Sequence, residues 1–260
     1  METFTENYIL TTTQNLESGG FKTKKAKLKK VLTSIIAIVL IAISQIAIAQ
    51  VDIETGLQHF YAFEGNLNDS TANNFNGTLT AGALELVQGF DGASNSAYYF
   101  DGTDKVSFGN IPLGSGSFTL AFWMKVPALV SNYSHSFFSK RLICSEGQFF
   151  DIRVTNSSTL GYTIGVEMRD DGQTGHVSTQ YGNIDEWVHI AFVKNNITHT
   201  SSLFINGDSV TSSTWTSNTI DMTNTANFAI GSTPCSVNPN IGPFKGTLDE
   251  VRFYNRACRE

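Results

Sequence analysis

The chain has 260 residues, with 17 Lys and Arg against 23 Asp and Glu and a net charge of −6 at pH 7. Six of the bases lie within residues 22–30, so residues 51–260 hold 11 basic and 20 acidic side chains, a net charge of −9. That balance excludes a nucleic-acid binder, which needs clustered Lys and Arg against phosphate, and the length after residue 50 suits one core of ordinary size.

The basic stretch KTKKAKLKK leads into VLTSIIAIVLIAISQIAIA, which is apolar except for Thr33, Ser34, Ser44 and Gln45 and ends on small residues at Ala47 and Ala49. A basic region, an apolar region and an A-x-A-like end describe a secretory signal peptide cleaved after Ala49. An uncleaved membrane anchor is the alternative, because the run approaches the roughly 20 residues that span a bilayer. The expected organisation is a disordered basic tail over 1–30, a signal-peptide hydrophobic segment over 31–50 and one domain over 51–260, secreted or held at the cell surface.

Beyond residue 50 no helical period appears. FEGNLNDSTANNFNG, residues 63–77, is dense in side-chain oxygens and reads as a turn, a metal site or a sugar site. Short alternating strands follow, bounded by Gly, Asn, Asp and Ser. GSFTLAFWMKV sets Phe118, Leu120, Phe122 and Met124 against Thr119, Ala121, Trp123 and Lys125. FFDIRV sets Phe150, Ile152 and Val154 against Asp151 and Arg153, and GYTIGVEMRDDG sets Ile164, Val166 and Met168 against Thr163, Glu167 and Arg169. WVHIAFVKNN comes next, then SSLFINGDSV with Asn206-Gly207 as a hairpin turn. The pattern predicts an all-β, antiparallel two-sheet sandwich or barrel, and 19 Phe, 8 Tyr and 3 Trp can fill the space between two sheets.

Several segments together resemble the laminin-G-like, concanavalin A-like jelly-roll family: HFYAFEGNLNDSTANNFNGTL, SAYYFDGTDKVSFGN, SFTLAFWMKV, DEWVHIAFVKN, LFINGDSV and FKGTLDEVRFYNRA, in that order over about residues 57–257. The resemblance implies a jelly-roll sandwich whose first and last strands pair, with a concave face outside the core. It also implies a structural Ca²⁺ between the opening Gly-Asn-x-x-Asp loop and the closing Leu-Asp-Glu-Val. The matching ligands here are Gly65, Asn66, Asp69 and Asp249, with Glu64 a neighbour. An Asx-rich turn bonded to its own backbone is the competing reading of that loop.

Glucanases of this kind carry Glu-x-Asp-x-x-Glu or Glu-x-Asp-x-Glu on one strand, where period-2 spacing aims both carboxylates into the groove. No Glu of this chain begins such a motif; Glu167-Met-Arg-Asp-Asp has Arg where Asp is needed. No Gly-x-Ser-x-Gly elbow and no His-x-x-x-His spacing occur. Binding is therefore favoured over catalysis. Lectin-like sites need an aromatic face and planar polar groups, and Trp123, Asp151, Arg153, Glu167, Arg169 and His189 alternate away from the core on the strands above. They are the candidate concave-face site for a polysaccharide or glycan, against a cross-strand salt-bridge ladder as the plain alternative. A loop site from residues 128–136, 170–175 and 232–243 is the other placement. An extracellular protein partner, an adhesive role or a divergent glycoside hydrolase or lyase are the lesser readings, and a membrane is met only if the leader stays attached.

All three Cys fall after residue 50, where disulfides persist in an exported protein. Cys144 near a strand start and Cys235 in a Pro-flanked loop are the expected bridge, worth about 4 kcal/mol in the chain-entropy model, which leaves Cys258 over.

Overall fold

The computed structural model describes residues 27–36, 53–130, 132–144, 147–158, 161–170, 172–216, 219–237 and 240–258. Two compact units divide at Ile53 and Glu54. In the first, residues 27–36 form an exposed helix, with the Thr33 hydroxyl donating to the Lys29 carbonyl at 2.8 Å. Among the described residues no helix is long and apolar enough to cross a membrane. Residues 1–26 of the expected tail and residues 37–50 of the expected signal segment lie outside the described residues.

The second unit is the predicted all-β sandwich. In chain order its strands are β1 (Leu57–Tyr61), β2 (Thr78–Ala81), β3 (Glu85–Val87), β4 (Ala97–Asp101), β5 (Lys105–Ser107) and β6 (Phe118–Lys125). The next are β7 (Tyr133–Lys140), β8 (Phe149–Ser157), β9 (Gly161–Arg169), β10 (Thr174–Gln180), β11 (Trp187–Asn195) and β12 (Thr200–Ile205). The last are β13 (Asp208–Thr214), β14 (Ala229–Ile230), β15 (Ile241–Pro243) and β16 (Lys245–Tyr254), with a 3₁₀ turn at Pro234–Val237. Sheet A runs β13-β12-β11-β6-β16-β4-β3, with β1 also on β16; sheet B runs β10-β9-β8-β7-β14-β5-β2, with β15 on β7.

The expected pairing of first and last strands is present, Tyr61 lying opposite Val251 and Phe60 opposite Arg252. Strand β16 bulges between Asp249 and Arg252, with Glu250 at φ 52°, so β4 pairs with one half of it and β1 with the other. The Asn206-Gly207 hairpin has both residues at positive φ, 53° and 88°, as a type I′ turn requires.

The alternating apolar positions face inward as predicted. Phe122 of sheet A meets Phe138 of sheet B with ring centroids 5.0 Å apart, and Phe118 meets Phe150 at 5.5 Å. Two lysines inside this core have no counterpart in the sequence reading. Lys194 Nζ, at the end of β11, donates to the carbonyls of Ser115, Gly116 and Ile220 at 2.8, 3.0 and 2.8 Å. Lys140 Nζ, at the end of β7, donates to Asn110 Oδ1 and to the carbonyls of Asn224 and Ala226. Burial pulls both ammonium groups down to about 8. Each satisfies loop carbonyls that would otherwise be buried without a donor, and so pins the long loops across the ends of the sandwich.

Candidate functional site

The opening stretch folds as a turn that satisfies itself. Asn66 Oδ1 accepts from the Asn68 N–H at 2.9 Å, and Asn76 Oδ1 accepts from the Asp69 N–H at 2.9 Å. The Asp69 carboxylate accepts from His59 Nδ1 at 2.8 Å, from the N–H groups of Phe60, Thr71 and Phe75 at 3.2, 3.0 and 3.2 Å, and from the Thr71 hydroxyl at 2.8 Å. Burial pushes this carboxyl up, but the His59 bond and the Thr71 and Phe60 donors outweigh it and hold it below the usual carboxylate value. Five donors leave it no lone pair to offer a cation.

Asp249 lies elsewhere. Leu248 and Val251 point into the core, while Asp249 sits beside Trp123 on β6 and its Oδ2 accepts the Phe90 N–H at 3.1 Å. Gly89 permits this approach, because a Cβ there would fall 2.7 Å from that oxygen. Glu64 and Asn66 are exposed on the turn, with Gly65 between them at φ 79°. Asp69 and Asp249 thus have different partners, and Asp69, with its oxygens filled by His59, Phe60, Thr71 and Phe75, does not fit a calcium ligand. No group of three or more His, Cys, Asp or Glu among the described residues could hold a metal.

The six candidate face residues divide between the two sheets. Asp151, Arg153, Glu167 and Arg169 lie on β8 and β9 of sheet B, whereas Trp123 and His189 lie opposite one another on β6 and β11 of sheet A. They do not share a face. The reason is that alternation along a strand separates inside from outside but is silent on which sheet the strand joins.

On the outer face of sheet B the Asp151–Arg153 pairing of the alternative ladder is present, within a larger cluster. Asp151 Oδ2 accepts from Arg141 and, at 2.8 Å, from Arg153. Arg141 also donates to the carbonyls of Ile143 and Cys144 at 3.1 and 2.6 Å and lies 3.6 Å over the Phe149 ring. The expected disulfide Cys144–Cys235 joins the β7–β8 loop to the 3₁₀ turn, and Arg153 Nη2 lies 3.8 Å from Cys235 Sγ. Asp151 and Glu167 are direct cross-strand neighbours, but with Asp151 held by two guanidiniums the pair cannot serve as a free nucleophile and acid. Cys258 is unpaired and half-exposed.

The loop placement changes as well. Residues 133–136 of the expected 128–136 loop belong to β7, and β15 pairs with them, so the 128–136 and 232–243 segments meet. Of the expected 170–175 loop, residues 170 and 172–175 lie at the other end of sheet B, because Arg169 pairs with Phe149 whereas Tyr133 pairs with Asn156.

Sheet A presents a different surface. Trp187 on β11 lies opposite Lys125 on β6, Lys125 opposite Thr247 on β16, and Thr247 opposite Tyr99 on β4. One row across four strands thus holds an aromatic ring at each end, about 14 Å apart on the 4.7–4.9 Å strand spacing. It forms a groove of about 300 Å³ walled by Val87, Gln88, Pro127 and Asp185. The side chains of Tyr99, Lys125, Asp185, Trp187 and Thr247 make no hydrogen bond, ion pair or ring contact among the described residues. In the next row Phe90 stacks on Trp123 at 4.4 Å and 10°, and His189 sits 5.2 Å from Trp123. Burial, then the Arg252 charge, lowers the His189 pKa. Trp123 thus already has a protein ring on one face, while among the described residues Trp187 and Tyr99 have none. Sequence reasoning missed these two because the row exists only once β4, β6, β11 and β16 are side by side; their aromatic character was the sole local signal.

A search of curated protein sequences returned no significant match. Solved structures with the same fold include domain 4 of a GH43 extracellular arabinanase from Geobacillus stearothermophilus in complex with arabinotriose, 21% identical with a TM-score of 0.58 over 79% of this chain and 95% of that one. They also include a botulinum neurotoxin type C structure, from work on cell entry dependent upon two ganglioside molecules, at 12% identity and TM-score 0.57. A botulinum neurotoxin DC binding domain in complex with rat synaptotagmin II matches at 11% and 0.57. Each of these two matches covers 78% of this chain and 49% of the toxin chain, so this chain spans about half of it. The profile of the Laminin_G_3 family, described as the concanavalin A-like lectin/glucanases superfamily, matches residues 100–260, and the chain belongs to that family.

Proposed function

We propose that residues 54–260 are an exported carbohydrate-binding module whose ligand lies along the outer face of sheet A, between Tyr99 and Trp187. The observation that carries this reading is the cross-strand row of two unstacked rings flanking Lys125 and Thr247, with Asp185 at the rim. Aromatic rings offer their faces to the C–H side of a sugar, and hydroxyls are met by donors and acceptors that no protein partner has taken. Family membership and the arabinotriose and ganglioside named for two similar structures support it. Export is supported by the Cys144–Cys235 bridge, which persists in oxidising compartments, together with the basic and apolar leader.

Trp187→Ala is expected to weaken binding in affinity gels by about 30-fold, since an aromatic anchor in a contact is worth about 2 kcal/mol. Tyr99→Ala should follow in the same direction. The domain should unfold at its usual temperature in both variants, because neither ring packs in the core. Unchanged retention of both variants on every polysaccharide that holds the parent would overturn the site. Trp123→Ala separates this face from packing: it should lower the melting temperature by leaving Phe90 uncovered.

Calcium belongs to this proposal at Asp249 alone. That carboxylate is buried and is paired with no cation among the described residues; since Asp91 and Glu250 do not form a metal-holding group with it, backbone carbonyls would have to complete the ligand set. Carboxylate and carbonyl oxygens are the ligands a hard cation takes, and a bound ion would tie β16 to the loop carrying Phe90. A structural ion of this kind would contribute to stability and leave the sugar contacts to the neighbouring row.

A further inference from the structure

The centre of the binding row is a cation without an anion. Lys125 stands on a central strand, half-buried, between Trp187 and Thr247. The buried Lys140 and Lys194 are satisfied by carbonyls, Arg141 and Arg153 by Asp151, and Arg252 by Glu250; Lys105 and Lys245 are half-buried without an ion pair among the described residues, as Lys125 is, but neither lines this groove. Among the described residues the Lys125 ammonium has no such partner and no ring beneath it. Acidic side chains outnumber basic ones across residues 51–260, so a pairing carboxylate is not scarce. The one carboxylate on the groove wall, Asp185, is exposed at the rim and forms no ion pair with it. Partial burial makes an unpaired charge costly and makes a pairing charge worth more than it would be in open water.

We propose that the sugar seated between Tyr99 and Trp187 carries an anionic substituent, a uronate carboxylate or a sulfate ester, and that Lys125 selects it. The assignment rests on the binding reading above and adds the ligand class to it. The two rings hold the chain through its C–H faces, Lys125 meets the anion between them, and Asp185 accepts from a hydroxyl at the rim while repelling a second acid there. The expected ligand therefore has its charge at one unit of the bound segment rather than at every unit.

Affinity electrophoresis of the full chain in EDTA, with no added calcium to bridge polyanions, tests this. The gels contain partly methyl-esterified polygalacturonate, fully methyl-esterified polygalacturonate, carrageenan as a sulfated galactan without uronate, and neutral arabinan. The partly charged polymer is expected to bind at least about 10-fold more tightly than the full ester, the effect of one charge-assisted bond, and to lose that margin in Lys125→Gln but keep it in Lys125→Arg. Preference for carrageenan with the same dependence on Lys125 keeps the anionic assignment and makes the group a sulfate. Equal retention on charged and esterified polymer, or a Lys125→Gln variant that discriminates like the parent, overturns it. The two levels fail separately: Trp187→Ala that loses arabinan while Lys125→Gln changes nothing sinks only the charge assignment, and Trp187→Ala without effect on any polymer sinks the site.

Discussion

Replacing Asp151 with alanine is expected to destabilise the domain by about 3–5 kcal/mol, the cost of removing one partner from a buried ion pair. The residue is 1% exposed, and its Oδ2 carries both Arg141 and Arg153. Without it two guanidiniums remain under cover, and Arg141 is also the donor that fixes the carbonyls of Ile143 and Cys144. The loss therefore spreads to the loop that bears the disulfide. In a domain of this size each kcal/mol shifts Tm by about 2–4 °C, so thermal unfolding should begin on the order of 10 °C lower. Asp151→Asn, which keeps an acceptor of the same shape, should cost less. Combining Asp151→Leu with Arg141→Met should recover part of the loss, because the buried Arg141 charge is then no longer stranded and Arg153, 23% exposed, can turn to solvent, while the Ile143 and Cys144 carbonyls still lose their donor. A shift under 2 °C for Asp151→Ala would show that solvent reaches the cluster and that the pairing is ornamental.

The second large effect is on pH dependence, and it originates at Asp249. Burial first, and then the charges of Glu250 and Asp91, push its carboxyl up from 3.8 to about 7, against the N–H of Phe90, which pulls the other way. A carboxyl raised on folding binds its proton more tightly in the folded chain. Its stabilising contribution is thus complete below about pH 4 and is lost as pH rises through about 7. At 1.36 kcal/mol per unit the span amounts to about 4 kcal/mol at most. In EDTA the parent domain should melt lower at pH 8 than the Asp249→Asn variant, and the two should coincide near pH 4. Calcium at pH 8 should raise the Tm of the parent and not that of the variant, since an ion at the carboxylate replaces the missing proton. Parallel melting curves for parent and variant across pH 4–8 would refute the buried charge. A calcium response that survives in Asp249→Asn would place the ion elsewhere.

Much of this was legible along the chain. Phe118, Leu120, Phe122 and Met124 alternate with polar or small residues, and a period of two is a local property that any strand must obey once one side is buried. The Asn206-Gly207 turn was equally local, because only such residues accept two successive positive φ angles at low cost. Cys144 and Cys235 were the expected pair, and they are the pair that forms. The carboxylate and amide density of residues 63–77 was also visible, but its use was not. Asn and Asp bond equally well to a metal and to their own backbone, and the choice fell to His59, Phe60, Thr71 and Phe75, whose donors fill the oxygens of Asp69.

The all-β class, the inward and outward positions of β6, β8 and β9, the hairpin turn and the family resemblance can be read from the order of residues alone. Which strands lie side by side emerges only when the two sheets assemble. Trp123 and Asp151 carry the same outward signal, yet one faces out from sheet A and the other from sheet B. Tyr99, Lys125, Trp187 and Thr247 come from four separate strands and form one row through register alone. Lys140 and Lys194 look like solvated strand ends until the loops fold over them. Alternation is written in neighbouring residues, whereas register is set by packing between residues distant in the chain, and the binding face exists only at that second level.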